Sequence, residues 1–435
     1  VDPVSATQAI VGFAAAEHRL PASVRADTAR LIADTLACGA AGAQSAEAQK
    51  LKYAIRALGT NPDARLLCGG EAPAASAAFF NGFATHCLEW DAVHEGAVVH
   101  ALSAVTAAVM AQAHDNGGVS EEYLLAAVAV GVDIASGLGL SATGPMAFFR
   151  PATAGVIGAA LAAARLADIP DARFADVMGL AYSFASGTMQ AHVEASIALP
   201  LQIANAARAA ITAVALVEGG MTGPHDVLEG PFGYSRVIEQ LDLSRYTSGL
   251  GKVWRISEVA TKPFPSGRAS HGALGELEAL YRAGLRIGDV ARIELHAPPL
   301  IERLVGRPYR PDMSAAYARL CLAILAPLML RDGAIDPDLF DGAALHVPEL
   351  VGLAGNVAVK CDANPDSNAM APQRLVVTRR DGRVIERAIP ANLGSPAWPM
   401  SAAQSAAKYA LCRRLAGPDV DPRIFIDPLS YMANP

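Results

Sequence analysis

From about residue 5 to residue 220 the chain repeats one texture: runs of alanine, valine and leucine of helical length, each stopped by glycine or proline. Alanine has the highest helix propensity and loses almost no side-chain entropy on folding. Hydrophobic residues make up 52% of the chain but aromatic ones only 6%. A core built from these runs is therefore filled with small side chains, and its helix backbones must approach closely. Ser23 to Ala41 reads as one helix ending at Gly42. Ala74 to Thr85, Ala101 to His114, Thr153 to Leu166 and Ile203 to Glu218 read as others. Ser120, before Glu121 and Glu122, has the form of an N-cap: its hydroxyl accepts an orphan amide proton, and the acids suit the helix dipole. Tyr123 to Leu140 is long and apolar enough to raise a membrane span. Asp133 sits in its middle and Gly131, Gly137 and Gly139 interrupt it, so a buried core helix is expected instead.

The texture changes after about residue 270. Val290 to Ala297 alternates apolar and polar residues as a half-buried strand does, and Val357 to Cys361 reads as a second short strand. Arg374 to Arg380 and Arg383 to Ala388 flank Asp381-Gly382, a pair that suits a type I′ hairpin turn. Helical runs lie between the strands at Met313 to Leu330 and Pro348 to Leu353, and Ser401 to Leu415 is helical again. At 435 residues the chain is long for one core. The expected fold class is mainly α: a large all-helical domain over 1–270 and 401–435, plus a smaller α+β domain over 271–400.

The net charge of −7 offers no footprint for nucleic acid, although a local Arg/Lys cluster inside an acidic protein still suits a small anion. There is no GxGxxG fingerprint and no P-loop, which argues against a dinucleotide or nucleotide site. The six cysteines are scattered with no CxxC pair, as expected in a reducing, cytoplasmic setting. Residues 1–20 lack the basic and apolar regions of a signal peptide, and no membrane association is expected.

Three polar clusters stand out. The densest runs from His86 through Glu89, Asp91, His94 and Glu95 to His100, between two apolar helices. Buried charge is costly unless paired or used, so this concentration points to a site, with a solvated loop as the plain alternative. His86 and Glu89 lie one helical turn apart, but the spacing fits no standard zinc motif, and no metal is expected. The second cluster, Lys262-Pro-Phe-Pro-Ser-Gly-Arg268-Ala-Ser-His271, sets three basic groups at a helix start near Ser270, where carboxylates are readily held. The third places Arg150 just before a Gly/Ala-rich helix. Taken alone, the second reads better as a basic surface turn and the third as a plain helix entry with an exposed Arg.

Together these clusters resemble the MmgE/PrpD family, which includes 2-methylcitrate dehydratase, cis-aconitate decarboxylase and iminodisuccinate epimerase. Asn81, Gly82, His86, Asp91, His94 and His100 match the family pattern NG-x-x-x-H-x-x-D-x-D-D-x-H…HP, with Glu89 a near match. Phe149, Pro151, Thr153 (one residue displaced), Gly155 and Gly158-Ala159-Ala160 resemble FHPT-x-x-x-G-x-x-GAA. Ser186 to Met189 and Asn205 to Arg208 resemble the helices around the family's catalytic lysine. Gly220 to Pro224, Leu228 to Gly230 and Gly233 resemble G-x-TGP…LEG…G, and Lys262 to Pro265 with His271 resembles the KPYP loop. The five elements keep their order over about residues 80 to 271.

The resemblance implies a homodimeric, cofactor-independent enzyme that abstracts a proton α to a carboxylate of a small di- or tricarboxylate. A dehydratase-like lyase comes first, an epimerase second, and a catalytically silent carboxylate-binding homologue is the reading from another class. His100, Asp91, Glu89 and Lys262 are the implied catalytic set; Arg150, His94, Arg268 and His271 are the implied substrate binders. The departures are equally specific. Glu89 stands at an Asp position, Val93 at a Thr position, Arg150 at a second His, Leu199 at a first Lys, Gln202 at a nearby His and Gly267 at a Cys. An arginine cannot deprotonate, and a leucine neither binds carboxylate nor gives a proton. His192 and Glu194 lie close in sequence to the lost lysine as replacement polar groups.

Overall fold

The computed structural model describes residues 4–340, 342–366 and 368–435, so the first three residues of the 1–20 segment lie outside the description. The helices form on the alanine-rich runs: Ala22–Gly42, Ala74–His86, Ala101–Asp115, Glu121–Leu140, Arg150–Leu166 and Ala198–Glu218, the last starting five residues before the expected Ile203. Ser120 caps its helix by accepting from the amide of Tyr123. Arg150–Leu166 begins three residues earlier than expected, because Pro151 falls in the first turn, where its missing N–H costs nothing.

Small residues set the packing distance. Glu121–Leu140 crosses Arg150–Leu166 at Gly131 and Gly158, and a Cβ on Gly158 would sit 2.3 Å from the Gly131 carbonyl oxygen. Glu121–Leu140 and Ala198–Glu218 are both apolar and long enough to cross a membrane. The first is 89% buried within the protein over its most apolar stretch. Its Asp133 is buried and satisfied, accepting from the Tyr246 hydroxyl and the Arg255 amide. That is the arrangement of a core helix.

The later part holds a four-stranded mixed sheet in the order 357–361, 290–297, 373–379, 384–389. Val290–Ala297 pairs parallel with Val357–Cys361 and antiparallel with Gln373–Arg379, which continues into Val384–Ile389. Helices His271–Arg282 and Leu322–Asp332 pack on each other and against the sheet. The large helical part and the smaller α+β part are both present.

Two local expectations are corrected. The hairpin closes through three residues, 380–382, with the Gly382 amide donating to the Arg379 carbonyl and only Gly382 at positive φ, +86°. That is a type I turn followed by a left-handed glycine; a type I′ turn would need Asp381 left-handed too. The helix expected from Met313 to Leu330 is split into Ala315–Ala318 and Leu322–Asp332. Between them the Arg319 carbonyl accepts the amide of Gly267, and Cys321 is extended and bridged to Gly306.

The late helix Ala402–Ala416 returns to Ala22–Gly42. Its buried Lys408 lies 2.6 Å from Asp34 Oδ1 and donates to the Trp90 carbonyl at 3.2 Å. Replacing Lys408 by Met strands the Asp34 carboxylate without its cation. Urea denaturation should show a loss of about 3–5 kcal/mol. The double variant Asp34→Asn/Lys408→Met should recover part of it, because no lone buried charge remains. A Lys408→Met protein as stable as wild type would contradict this.

Candidate active site

The site is built where Ala74–His86 ends. His86 is its last residue, and the chain then makes a tight passage to His100, the residue preceding Ala101–Asp115. Glu89 takes a left-handed backbone, φ +54°, and so does Val98, φ +54°. Neither residue type favours that region, least of all a β-branched valine. The segment is held by two bridges: His94 pairs with Val99, and Val93 pairs with Ala260 through two 2.9 Å bonds. The second bridge brings the 262–271 loop against the first cluster. Trp90 Nε1 ties the same loop by donating to the Pro263 carbonyl at 3.3 Å.

Asp91 is the centre. It is fully buried, and both its oxygens lie 3.0 Å from His86 Nδ1. Oδ2 also lies 3.0 Å from His100 Nδ1 and accepts a short bond from Ser103 Oγ. Lys262 Nζ stands 3.9 Å from Oδ1, donates to the Glu89 carbonyl at 3.0 Å and lies 3.4 Å from Glu89 Oε2. Burial alone would push the Asp91 carboxyl up, but the fields of His100 and His86 and their hydrogen bonds hold it well below the usual carboxylate range. An ionised carboxylate only accepts, so both imidazoles donate to it from Nδ1. Their Nε2 atoms are then left for the cavity.

The two histidines are pushed in opposite directions. Burial lowers the His86 pKa, but the charges of Asp91 and Glu89 outweigh it and the net shift is upward. For His100 burial again lowers the pKa, Lys262 adds to it, and the Asp91 interaction does not fully compensate, so the net shift is downward. Glu89 is also held below its ordinary value: burial acts against this, but His86, Lys262 and His100 prevail. His86 thus tends to imidazolium and His100 to neutral imidazole, an acid and a base on one carboxylate. The rings meet edge to face, 4.8 Å between centroids.

A narrow cavity of about 60 Å³ opens beside them, between the helical part and the α+β part. His86, Glu89 and His100 line it, with Phe149, Leu199 and Met370 among the apolar wall. His86 Nε2 has no hydrogen-bond partner among the described residues, and Glu89 Oε1 lies 3.5 Å from it. His192 also lines the cavity with Nε2 unpartnered; burial, then Arg307, lowers its pKa to about 4. His86, Glu89 and His100 offer ligand atoms within 4.8 Å of one another, a spacing a metal ion would fit. Lys262 already supplies a cation at Glu89 there.

His100, Asp91, Glu89 and Lys262 therefore converge. The four residues expected to bind substrate do not. Arg150 is buried but holds Glu239 through Nε and Nη2, at 2.8 and 2.5 Å, and donates to the carbonyls of Ala97 and Gly144. Its charge is consumed away from the cavity. His94 lies 2.9 Å from Glu258 through Nε2, while Nδ1 accepts the Ala97 amide. His271 is enclosed by Ser266 and Arg268, and burial and then Arg268 keep it neutral, well below the usual histidine range. Arg268 reaches the cavity wall, but its Nε donates to Glu95 at 2.7 Å and Nη1 to the Leu393 carbonyl at 2.6 Å. These side chains pin the loops that frame the site. His86 and Ser103 were absent from the expected set, and His192 entered only as a replacement polar group near the lost lysine. His86 was legible in the NG-x-x-x-H pattern, and Ser103 sits one helical turn after His100.

Most of the chain matches one protein family. A model of the MmgE/PrpD N-terminal domain matches residues 12–244, and one of the MmgE/PrpD C-terminal domain matches residues 264–424. A cis-aconitate decarboxylase-like protein of Aspergillus oryzae is 24% identical over 397 residues, covering 84% of this chain and 82% of that protein.

The opposed shifts predict two separate titrations by imidazole nitrogen NMR: His86 above the ordinary 6.5 and His100 below it. His86 then adds stability that is full below 6.5 and lost as pH rises through its folded value; His100 withdraws stability as pH falls below 6.5. Asp91→Asn removes the charge that raises His86, so the His86 midpoint should fall. Two coincident midpoints, unmoved by that substitution, would sink the assignment.

Proposed function

The chain belongs to the MmgE/PrpD family, and from that premise we propose an enzyme that removes a proton α to a carboxylate without an organic cofactor. The observation that carries this reading is the Asp91 carboxylate shared by His100 and His86 at 3.0 Å. His100 Nε2 is the base, and its Nδ1–H, held by Asp91, fixes the tautomer. His86 Nε2–H faces the charge that develops on the substrate carboxylate as the α-carbon loses its proton. Lys262 is a positioning residue: it neutralises Glu89 and helps set the Glu89 backbone.

Two outcomes follow the same first step. If the electron pair left on the α-carbon expels a β-hydroxyl, a carbon–carbon double bond forms and the C–O bond breaks. Protonated His100 then returns its proton to the departing oxygen, which leaves as water. If the α-carbon is instead reprotonated on its other face, the reaction is an epimerisation. The lyase outcome is preferred, in keeping with a dehydratase-like member of the family. A silent carboxylate-binding homologue is the competing reading; Leu199 and the sequestered Arg150 favour it, and the convergence of His100, Asp91 and Lys262 weighs against it. The family also suggests a homodimer. A small di- or tricarboxylate is the substrate class the resemblance implies, while the chemistry itself needs one carboxylate beside the labile C–H.

The test is proton NMR in D₂O with a panel of hydroxy acids bearing one to three carboxylates: 3-hydroxybutyrate, malate, citrate and 2-methylcitrate. Deuterium should enter at the α-carbon of at least one, and His100→Gln should slow this by about 10²–10⁴-fold. Loss of water separates lyase from epimerase. Exchange that persists at full rate in His100→Gln would remove the proposed base, and a silent panel would favour the binding homologue.

A further inference from the structure

We propose that the cavity takes an organic acid with a single carboxylate and an apolar remainder, a short branched alkyl or aryl group, in place of a di- or tricarboxylate. This rests on the acid–base reading above and names its substrate class.

The argument begins with where the cations are. A second and third carboxylate would each need a charged partner, because a buried carboxylate left unpaired costs several kcal/mol of desolvation. Lys262 is enclosed by Glu89 and Asp91, Arg268 is matched by Glu95, and Arg150 is matched by Glu239. Among the described residues, the cationic group on the cavity wall whose nitrogen lacks a hydrogen-bond partner is His86 Nε2, which shares Glu89 with Lys262, the Glu89 Oε1 lying 3.5 Å away. One such donor answers one carboxylate. Glu89, held ionised on the same wall, repels any further one.

Most of the rest of the wall is apolar, and its polar members bring no free charge: Arg268 is held by Glu95, and His192 is kept neutral by burial and Arg307. Val93, Val98, Phe149 and Leu199 come from the helical part, and Leu304 and Leu320 from the α+β part. Leu199 stands where the family resemblance places a lysine, so a polar position has become part of the apolar surface. The cavity of about 60 Å³ holds a few waters, less than the 300 Å³ and more of ordinary ligand pockets, so a substrate must displace side chains. Met146, Met189 and Met370 line it. Methionine is unbranched and adaptable, and suits a wall that re-forms around an alkyl group.

Isothermal titration of the full chain with 4-methylpentanoate and 3-phenylpropanoate, against succinate and tricarballylate, tests the preference without requiring turnover. The monoacids should bind roughly tenfold or more tighter, since each methylene buried in an apolar pocket contributes about that much discrimination. Leu199→Lys should narrow or reverse the order, and Met189→Ala should weaken the monoacids alone, both read on proteins whose circular dichroism matches wild type. Succinate or tricarballylate binding as tightly as the monoacids, or no saturation by the monoacids, overturns the proposal. Deuterium exchange on 3-hydroxy-4-methylpentanoate separates the two levels. Monoacid binding without exchange defeats the acid–base reading and leaves the preference standing. Exchange on citrate or malate without monoacid binding does the reverse.

Discussion

A carboxylate buried away from solvent must be met by protons from the protein, and Asp91 is met by two imidazoles, a serine hydroxyl and, slightly farther off, a lysine. Much of the surrounding structure exists to deliver those groups. Ala74–His86 delivers His86 at its last turn, and Ala101–Asp115 delivers His100 and Ser103 at its first. The passage between them is short and bent enough to force Glu89 and Val98 into the left-handed region. That strain, of order 1–3 kcal/mol per residue, persists only where neighbouring bonds over-determine the backbone. The Val93–Ala260 and His94–Val99 bridges do this, and Lys262 adds a bond to the Glu89 carbonyl.

Distant parts of the chain converge on the same point. Lys408 on Ala402–Ala416 donates to the carbonyl of Trp90, the residue before Asp91, and Trp90 in turn holds the Pro263 carbonyl beside Lys262. Arg268 reaches from the 262–271 loop to Glu95 and to the carbonyls of Asn392 and Leu393 in the last α+β segment. The basic residues that sequence alone places at a carboxylate site thus act as ties between segments far apart in the chain. Each is satisfied by an internal acid or carbonyl, as a buried cation requires.

The helices were readable because alanine-rich runs and their Gly and Pro stops are local signals, and Ser120 announced its own cap. The split at Arg319–Cys321 was not, since it depends on Gly267 approaching the Arg319 carbonyl from 52 positions away in the chain. The site shows the same division. Glu89, Asp91 and His100 fall within a few residues of each other, so their meeting was legible, and the family pattern added Lys262. What Arg150, His94, Arg268 and His271 do was not legible. Their partners Glu239, Glu258, Glu95 and Ser266 are chosen by tertiary structure, and charge alone does not say whether a cation faces a cavity or an acid behind it.

The departures from the family pattern acquire a common sense in three dimensions. Arginine is long enough to carry its charge from position 150 to Glu239, and leucine at 199 removes a charge from the cavity wall. Both changes take polarity away from the space where substrate would lie. Neither touches the hydrogen bonds of Asp91, and the paired histidines keep their opposed protonation tendencies. A site losing its chemistry has no physical reason to keep a buried carboxylate bonded to two imidazoles and a serine, because an apolar filling of that space would often be as stable or more so. Charge taken out of the cavity at positions 150 and 199, with Asp91 still bonded to His86, His100 and Ser103, is the combination on which the proposed change of substrate rests.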